Sequence, residues 1–104
     1  MSVEVRDNRE QSRYEVWTDG QLAGFAQYRL DDGRITYFHT EIDPGYEGVG
    51  LGSRLARTAL DDARARQLTV VPLCPFVADY IGRHPDEYLD MVVPAMRAQI
   101  TENG

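Results

Sequence analysis

Thr40-Glu41-Ile42-Asp43-Pro44-Gly45-Tyr46-Glu47-Gly48-Val49-Gly50-Leu51-Gly52-Ser53 reads as the end of a strand, a tight glycine-rich loop and the first turn of a helix. Upstream, Arg-Ile-Thr-Tyr-Phe-His-Thr-Glu-Ile (residues 34–42) is rich in β-branched and aromatic residues, the composition that suits a pleated surface. Downstream, Leu51, Leu55, Ala59 and Ala63 recur every fourth position, which predicts a helix with one apolar stripe reaching about Arg66. Glycines at 48, 50 and 52 remove the Cβ atoms that would hold a ligand off the backbone. The first N–H groups of a helix have no partner within it and sit at the positive end of its dipole, so such a loop suits a phosphate group. The stretch is a candidate for holding the pyrophosphate of a nucleotide. The alternative is a plain strand–loop–helix connection whose glycines serve packing.

Two common phosphate loops are excluded. G-x-G-x-x-G fails because Ser53 stands at the third glycine, and the P-loop fails because it needs Gly-Lys-Ser/Thr while all eleven basic residues here are arginines. Glu47-Gly48-Val49-Gly50-Leu51-Gly52 resembles instead the motif Arg/Gln-x-x-Gly-x-Gly/Ala of the GNAT superfamily of acetyl-CoA-dependent N-acetyltransferases, with Glu47 standing where Arg or Gln is usual. Phe38-His39-Thr40-Glu41-Ile42, the glycine loop, Val71-Pro72-Leu73-Cys74-Pro75-Phe76-Val77 and His84-Pro85 together resemble one compact subfamily, over residues from about 13 to 88. The resemblance implies acetyl-CoA as cosubstrate, no metal, and an amine-bearing small molecule or peptide as acceptor. It implies contacts to the cosubstrate from Ile42, Gly48, Val49, Gly50, Leu51, Gly52, Ser53 and Arg54, with the backbone N–H of Ile42 on the acetyl oxygen. The pantetheine arm would lie where the strand ending at Ile42 splays from a strand ending at Leu73. Two family parts are missing: the pair of helices after the first strand and the last two strands, which commonly shape the acceptor pocket.

The rest of the chain fits a small α/β (α+β) domain with a mixed, mainly antiparallel sheet, a long cofactor-binding helix and a short C-terminal helix. Residues 3–6 alternate as a short strand, and Asp7 to Ser12 read as a loop. Residues 13–18 and 21–30 form a hairpin about Asp19-Gly20, and Asp31-Asp32-Gly33 turns into the strand already described. Strict alternation would put Leu22, Gly24, Ala26, Tyr28 and Leu30 on one face. On the helix, Arg54, Arg57, Asp61, Asp62, Arg64 and Arg66 read as a solvated face, with Arg54 and Arg57 also near enough to the first turn to assist a phosphate. Residues 68–73 (LTVVPL) are almost wholly apolar, a buried strand that a crossover helix would set parallel to its predecessor. Residues 76–84 predict a short helix with Val77, Ala78 and Ile81 inward. Pro94 is expected to interrupt any terminal helix and residues 101–104 to fray.

At 104 residues one domain is expected. Hydrophobic and charged contents of 42% and 27% suit a globular protein. No apolar run reaches membrane-span length and the N-terminus lacks a signal peptide's apolar region, so a cytoplasmic location and no membrane partner are expected. A single cysteine excludes an internal disulfide. The net charge of −6 argues against nucleic acid and favours a cationic acceptor.

Acetylating an amine needs a base for the amine proton, donors for the thioester oxygen and an acid for the leaving thiolate. His39 and Glu41 stand two apart on a strand, hence on one face, and either could be the base; the plainer reading is an exposed surface pair. Cys74 could carry the acetyl group with His39 as its base, or be a small packing residue. Tyr80 is a candidate acid or an amphipathic packing residue. A non-catalytic acyl-CoA-binding module is the competing function.

Overall fold

The computed structural model describes residues 2–103, with side chains from residue 2 to residue 100. Its sheet has five strands in chain order: β1 (Val3–Asn8), β2 (Arg13–Thr18), β3 (Gln21–Asp31), β4 (Arg34–Ile42) and β5 (Thr69–Pro72). The first four pair antiparallel, and β5 joins β4 in parallel after the helix α1 (Leu51–Ala65). Three more helices follow, α2 (Pro75–Arg83), α3 (Pro85–Tyr88) and α4 (Pro94–Asn103), with a 3-10 turn at Leu89–Met91. The mixed, mainly antiparallel sheet and long helix expected of the sequence are present. No helix is long and apolar enough to cross a membrane among the described residues.

Local chemistry explains the order. Both hairpins turn on Asp-Gly pairs with positive φ at each residue, 49° and 84° at Asp19-Gly20 and 47° and 77° at Asp32-Gly33. That conformation matches the right-handed twist of the flanking strands. One face of the sheet, bearing Tyr14, Val16, Ala26, Tyr28, Ile35 and Tyr37, is buried against the apolar stripe of α1. Val77, Tyr80 and Ile81 of α2 complete the core.

Several details depart from the sequence reading. β1 continues through Asp7 and Asn8 rather than breaking into a loop, because polar partners hold the extension. Asp7 accepts a hydrogen bond from the Tyr28 hydroxyl at 2.6 Å, and the Asn8 amide reaches Glu15 at 3.0 Å. Ala23 is an extra residue on β3 between the Val16–Gly24 and Trp17–Leu22 pairs, so strict alternation fails there and Ala23 is buried. On α2 it is Tyr80, not Ala78, that is buried with Val77 and Ile81. Pro94 opens α4 instead of ending a helix, since the first helical position needs no N–H donor. The helix then runs to Asn103 across residues expected to fray, and Gly104 lies outside the described residues.

The polar side of α1 is a docking surface rather than a solvated face. Arg57 pairs with Glu87 at 2.9 Å, Arg64 with Asp90 at 2.8 Å, and the Tyr88 hydroxyl donates to Asp61 at 2.7 Å. These bonds tie α3 and the turn after it to α1. The guanidinium of Arg57 bonded to Glu87, and that of Arg64 bonded to Asp90, hold both carboxyls below the usual carboxylate range. Asp62 and Arg66, four residues apart on α1, pair at 3.6 Å, and Asp62 also accepts from the Tyr14 hydroxyl.

Candidate active site

The site begins where β5 stops. Residues 34–37 of β4 pair with residues 69–72 of β5, and the N–H of Cys74 makes a last bond to the carbonyl of Tyr37 at 2.8 Å. Pro75 then starts α2, its missing N–H and fixed φ suiting the first helical position. Residues 39–42 keep β3 as neighbour on one side and have lost β5 on the other. The N–H of Asp43 donates to the carbonyl of Ala23 at 2.8 Å, on the β3 side. Successive peptide groups of a strand point to opposite sides, so the N–H of Ile42 is directed into the gap.

Phe38 decides which side chains flank that gap. It is an extra residue on β4, since Tyr28 pairs with Tyr37 and Gln27 with His39. Ile35 and Tyr37 point into the core; without the bulge, His39 and Glu41 would follow them. With it, Thr40 and Ile42 turn towards α1, while His39 and Glu41 emerge on the sheet's other face. There His39 Nε2 lies 3.5 Å from Glu41 Oε2, with side chains 49% and 59% exposed. The His39 ring is 6.1 Å from that of Phe25, over which the Arg13 guanidinium sits at 4.6 Å.

On the α1 side a cleft of about 380 Å³ is lined by Thr40, Ile42, Glu47, Gly48, Gly50, Gly52, Ser53 and Phe76. Gly50 caps α1 in the left-handed conformation, φ 80° and ψ 9°, with no side-chain hydrogen bond at the helix start. The first intrahelical bond runs from the N–H of Arg54 to the carbonyl of Gly50 at 3.2 Å. The N–H groups of Leu51, Gly52 and Ser53 are therefore unused by the helix, at its positive end and beside the cleft. These bare donors fit a pyrophosphate. Leu51 is buried and can serve only through its backbone, while Val49 is 54% exposed. Arg54 is exposed with no ion pair among the described residues, whereas Arg57 is held away by Glu87. Glu47 places a carboxylate at the rim.

Gly52 has a different reason to be glycine. A Cβ there would lie 2.5 Å from Cζ of Phe76, so the packing explanation holds at this position. Phe76 and Thr40, both lining the cleft, were missed by the sequence reading. The available signal was Pro75, which fixes the start of α2 and hence the direction of residue 76.

The structure does not bring all the candidate catalytic residues together. Cys74 is 3% exposed and its thiol donates to the Thr40 hydroxyl at 3.2 Å. Thr40 and His39 are consecutive and face opposite sides of β4, so no Cys74–His39 pair forms. Tyr80 is 3% exposed, its ring 4.5 Å from His84 and 5.9 Å from Tyr88, and it is not among the residues lining the cleft.

The fold is a mixed α/β one whose five-stranded sheet parts beside a bare, glycine-capped helix start. The GCN5-related N-acetyl-transferase family matches this chain over residues 13–91, and the chain belongs to that family of acyltransferases. Streptothricin acetyltransferase of Streptomyces lavendulae is 40% identical over 66 residues, covering 62% of this chain and 35% of that enzyme. The matched part thus spans about a third of that relative's length. Among solved structures, a GCN5-like protein of Staphylococcus aureus superposes with a TM-score of 0.61 at 23% identity, over 89% of this chain and 91% of its own. N-acetylglutamate synthase of Neisseria gonorrhoeae, solved with coenzyme A and N-acetyl-glutamate, gives a TM-score of 0.54 at 19% identity, over 98% of this chain and 27% of its own. These two likenesses establish the fold.

Proposed function

We propose that the protein is an N-acetyltransferase that takes the acetyl group of acetyl-CoA and passes it directly to the amine of a small molecule or peptide. The observation that carries this reading is the coincidence of the β4–β5 gap with the bare start of α1: one cleft offers phosphate donors at one end and the directed N–H of Ile42 at the other. Family membership implies acetyl-CoA, and the coenzyme A bound to the Neisseria gonorrhoeae synthase supports the same cosubstrate.

The N–H groups of Leu51, Gly52 and Ser53 hold the pyrophosphate, with Gly48 and Gly50 letting it approach and Arg54 adding charge. Ile42 donates to the thioester oxygen as negative charge develops there. The amine arrives from the open face of the sheet, where Glu41 or His39 takes its proton as the new C–N bond forms and the C–S bond breaks. The thiolate leaves along the cleft and is protonated by solvent. Cys74 is left outside the transfer, because its partner is Thr40 and the base lies across the strand; Tyr80 is left outside because it is packed beneath His84.

The experiment is an amine panel, small amines and short peptides, scored by release of coenzyme A. His39→Ala and Glu41→Gln identify the base if one of them lowers release by about 100-fold. Release unchanged in both removes the pair from the mechanism. One observation favours the binding-module reading: the His39 and Glu41 side chains stand about half exposed on the sheet's outer face. Tight acetyl-CoA binding with no amine-dependent release would decide for it.

A further inference from the structure

The cleft is backed by close-packed core. Between the sheet and α1, Ala26, Tyr37, Leu55, Ala56 and Ala59 among others meet with no room for a water molecule. Thr40 and Phe76 alone belong both to this packed region and to the lining of the cleft. Thr40 is fixed from one side by the Cys74 thiol at 3.2 Å. Phe76 is fixed from the other by its seat on Gly52, whose missing Cβ leaves room for the ring: an added one would come within 2.5 Å of Cζ and 3.2 and 3.3 Å of the two neighbouring ring carbons. The ring of Phe76 is therefore a partition held in place by a glycine of the phosphate loop.

We propose that Phe76 sets the length of the acyl group the protein accepts. This rests on the acyl-CoA reading of the cleft. With the acyl oxygen on the N–H of Ile42, the acyl chain extends beside Thr40, two residues back on the same face of β4, and meets Phe76. An acetyl methyl ends before the ring. A chain of four or six carbons needs the space the ring occupies. The side chains behind the ring are apolar, so removing the ring would leave an apolar pocket of about its own volume for such a chain to fill. Phe76 thus acts as a specificity residue, with Gly52 its positioning partner.

The test is calorimetric titration of the full chain with acetyl-, butyryl- and hexanoyl-CoA, each referred to coenzyme A. The wild-type protein is expected to prefer acetyl-CoA. In Phe76→Ala the preference should move towards hexanoyl-CoA by about tenfold or more, since each buried methylene adds several-fold in affinity. Phe76→Leu should move it less, and it carries the test if the alanine variant fails to fold. Adding Ala56→Leu to Phe76→Ala refills from behind the space the ring vacated and should restore the acetyl preference, a reversal that general loosening would not produce. An unchanged acyl preference in a folded Phe76 variant that still binds coenzyme A overturns this inference alone. A wild-type protein that binds coenzyme A and its thioesters not at all overturns the reading of the cleft and this inference with it.

Discussion

In β4, residues 34–37 are flanked by β3 and β5, whereas residues 39–42 have β3 alone. The first half contributes Ile35 and Tyr37, both fully buried, and the Tyr37 hydroxyl donates to the carbonyl of Ala59 on α1 at 2.9 Å. The second half contributes an unused backbone edge, a threonine and isoleucine facing the cleft, and a histidine–carboxylate pair facing outward. A single bulge at Phe38 separates the two. The lesson is that a sheet can be complete where it must be stable and left open a few residues later where it must bind, without any change of strand. A gap in a ladder normally leaves polar groups unsatisfied; here those groups are the proposed means of gripping a ligand.

Breaking the first half should cost the fold stability. Tyr37→Ala removes a fully buried aromatic and its bond to α1, an expected loss of about 3–5 kcal/mol in chemical denaturation. A loss below about 1 kcal/mol would mean that the paired half of β4 is not the clamp it looks to be. Breaking the second half should do the reverse. Ile42→Pro deletes an N–H that faces away from β3, so the ladder keeps its bonds and proline is tolerated as at an edge. Turnover is expected to fall by about 10²–10³-fold while the unfolding midpoint changes little. Equal turnover in the variant would show that the Ile42 donor does no chemistry.

The comparison extends to α1, whose N-terminal end is bare and whose later turns are tied down. Glu87 and Asp90 have carboxyl pKa values lowered by Arg57 and Arg64. A lowered folded-state value means stability present above the ordinary carboxylate pKa and lost as pH falls through the depressed one. Acidification should therefore release α3 and the following turn before the sheet melts, which amide hydrogen exchange at acid pH would detect. Both pairs are largely exposed, so the effect should be small, and smaller still in salt. The mildest change sharpens the bare end. Glu47→Gln removes a carboxylate from the rim and should tighten acetyl-CoA binding a few-fold at low salt; weaker binding would mean that Glu47 contacts the ligand usefully.

Much of this arrangement was legible in the chain. The four-residue spacing from Leu51 to Ala63 fixed α1, Asp-Gly pairs fixed both hairpins, and the short apolar run around Val70 fixed the parallel strand. His39 and Glu41 were expected on one face and do meet there. The bulge at Phe38 was not legible, because one extra residue leaves no mark in composition yet reverses which side chains turn inward. The polar side of α1 misled for a related reason: arginines and aspartates look alike whether water or a later segment answers them. Glu87, Tyr88 and Asp90 answer them here, from a stretch with weak periodicity of its own. Gly52 looked like part of a phosphate loop, and its close contact turned out to be a phenylalanine twenty-four residues away.

The most direct test is calorimetric titration of acetyl-CoA into the wild-type protein and into Gly50→Asp. Aspartate tolerates the left-handed conformation better than most residues, so the loop should keep its course while a carboxylate occupies the phosphate's place. A single site on the wild type, weakened by at least about thirtyfold in a variant that still unfolds cooperatively, is the predicted result, equivalent to about 2 kcal/mol. Equal affinity in the two proteins, or no binding to the wild type, would contradict the claim that the opening between β4 and α1 is built to hold an acyl-CoA.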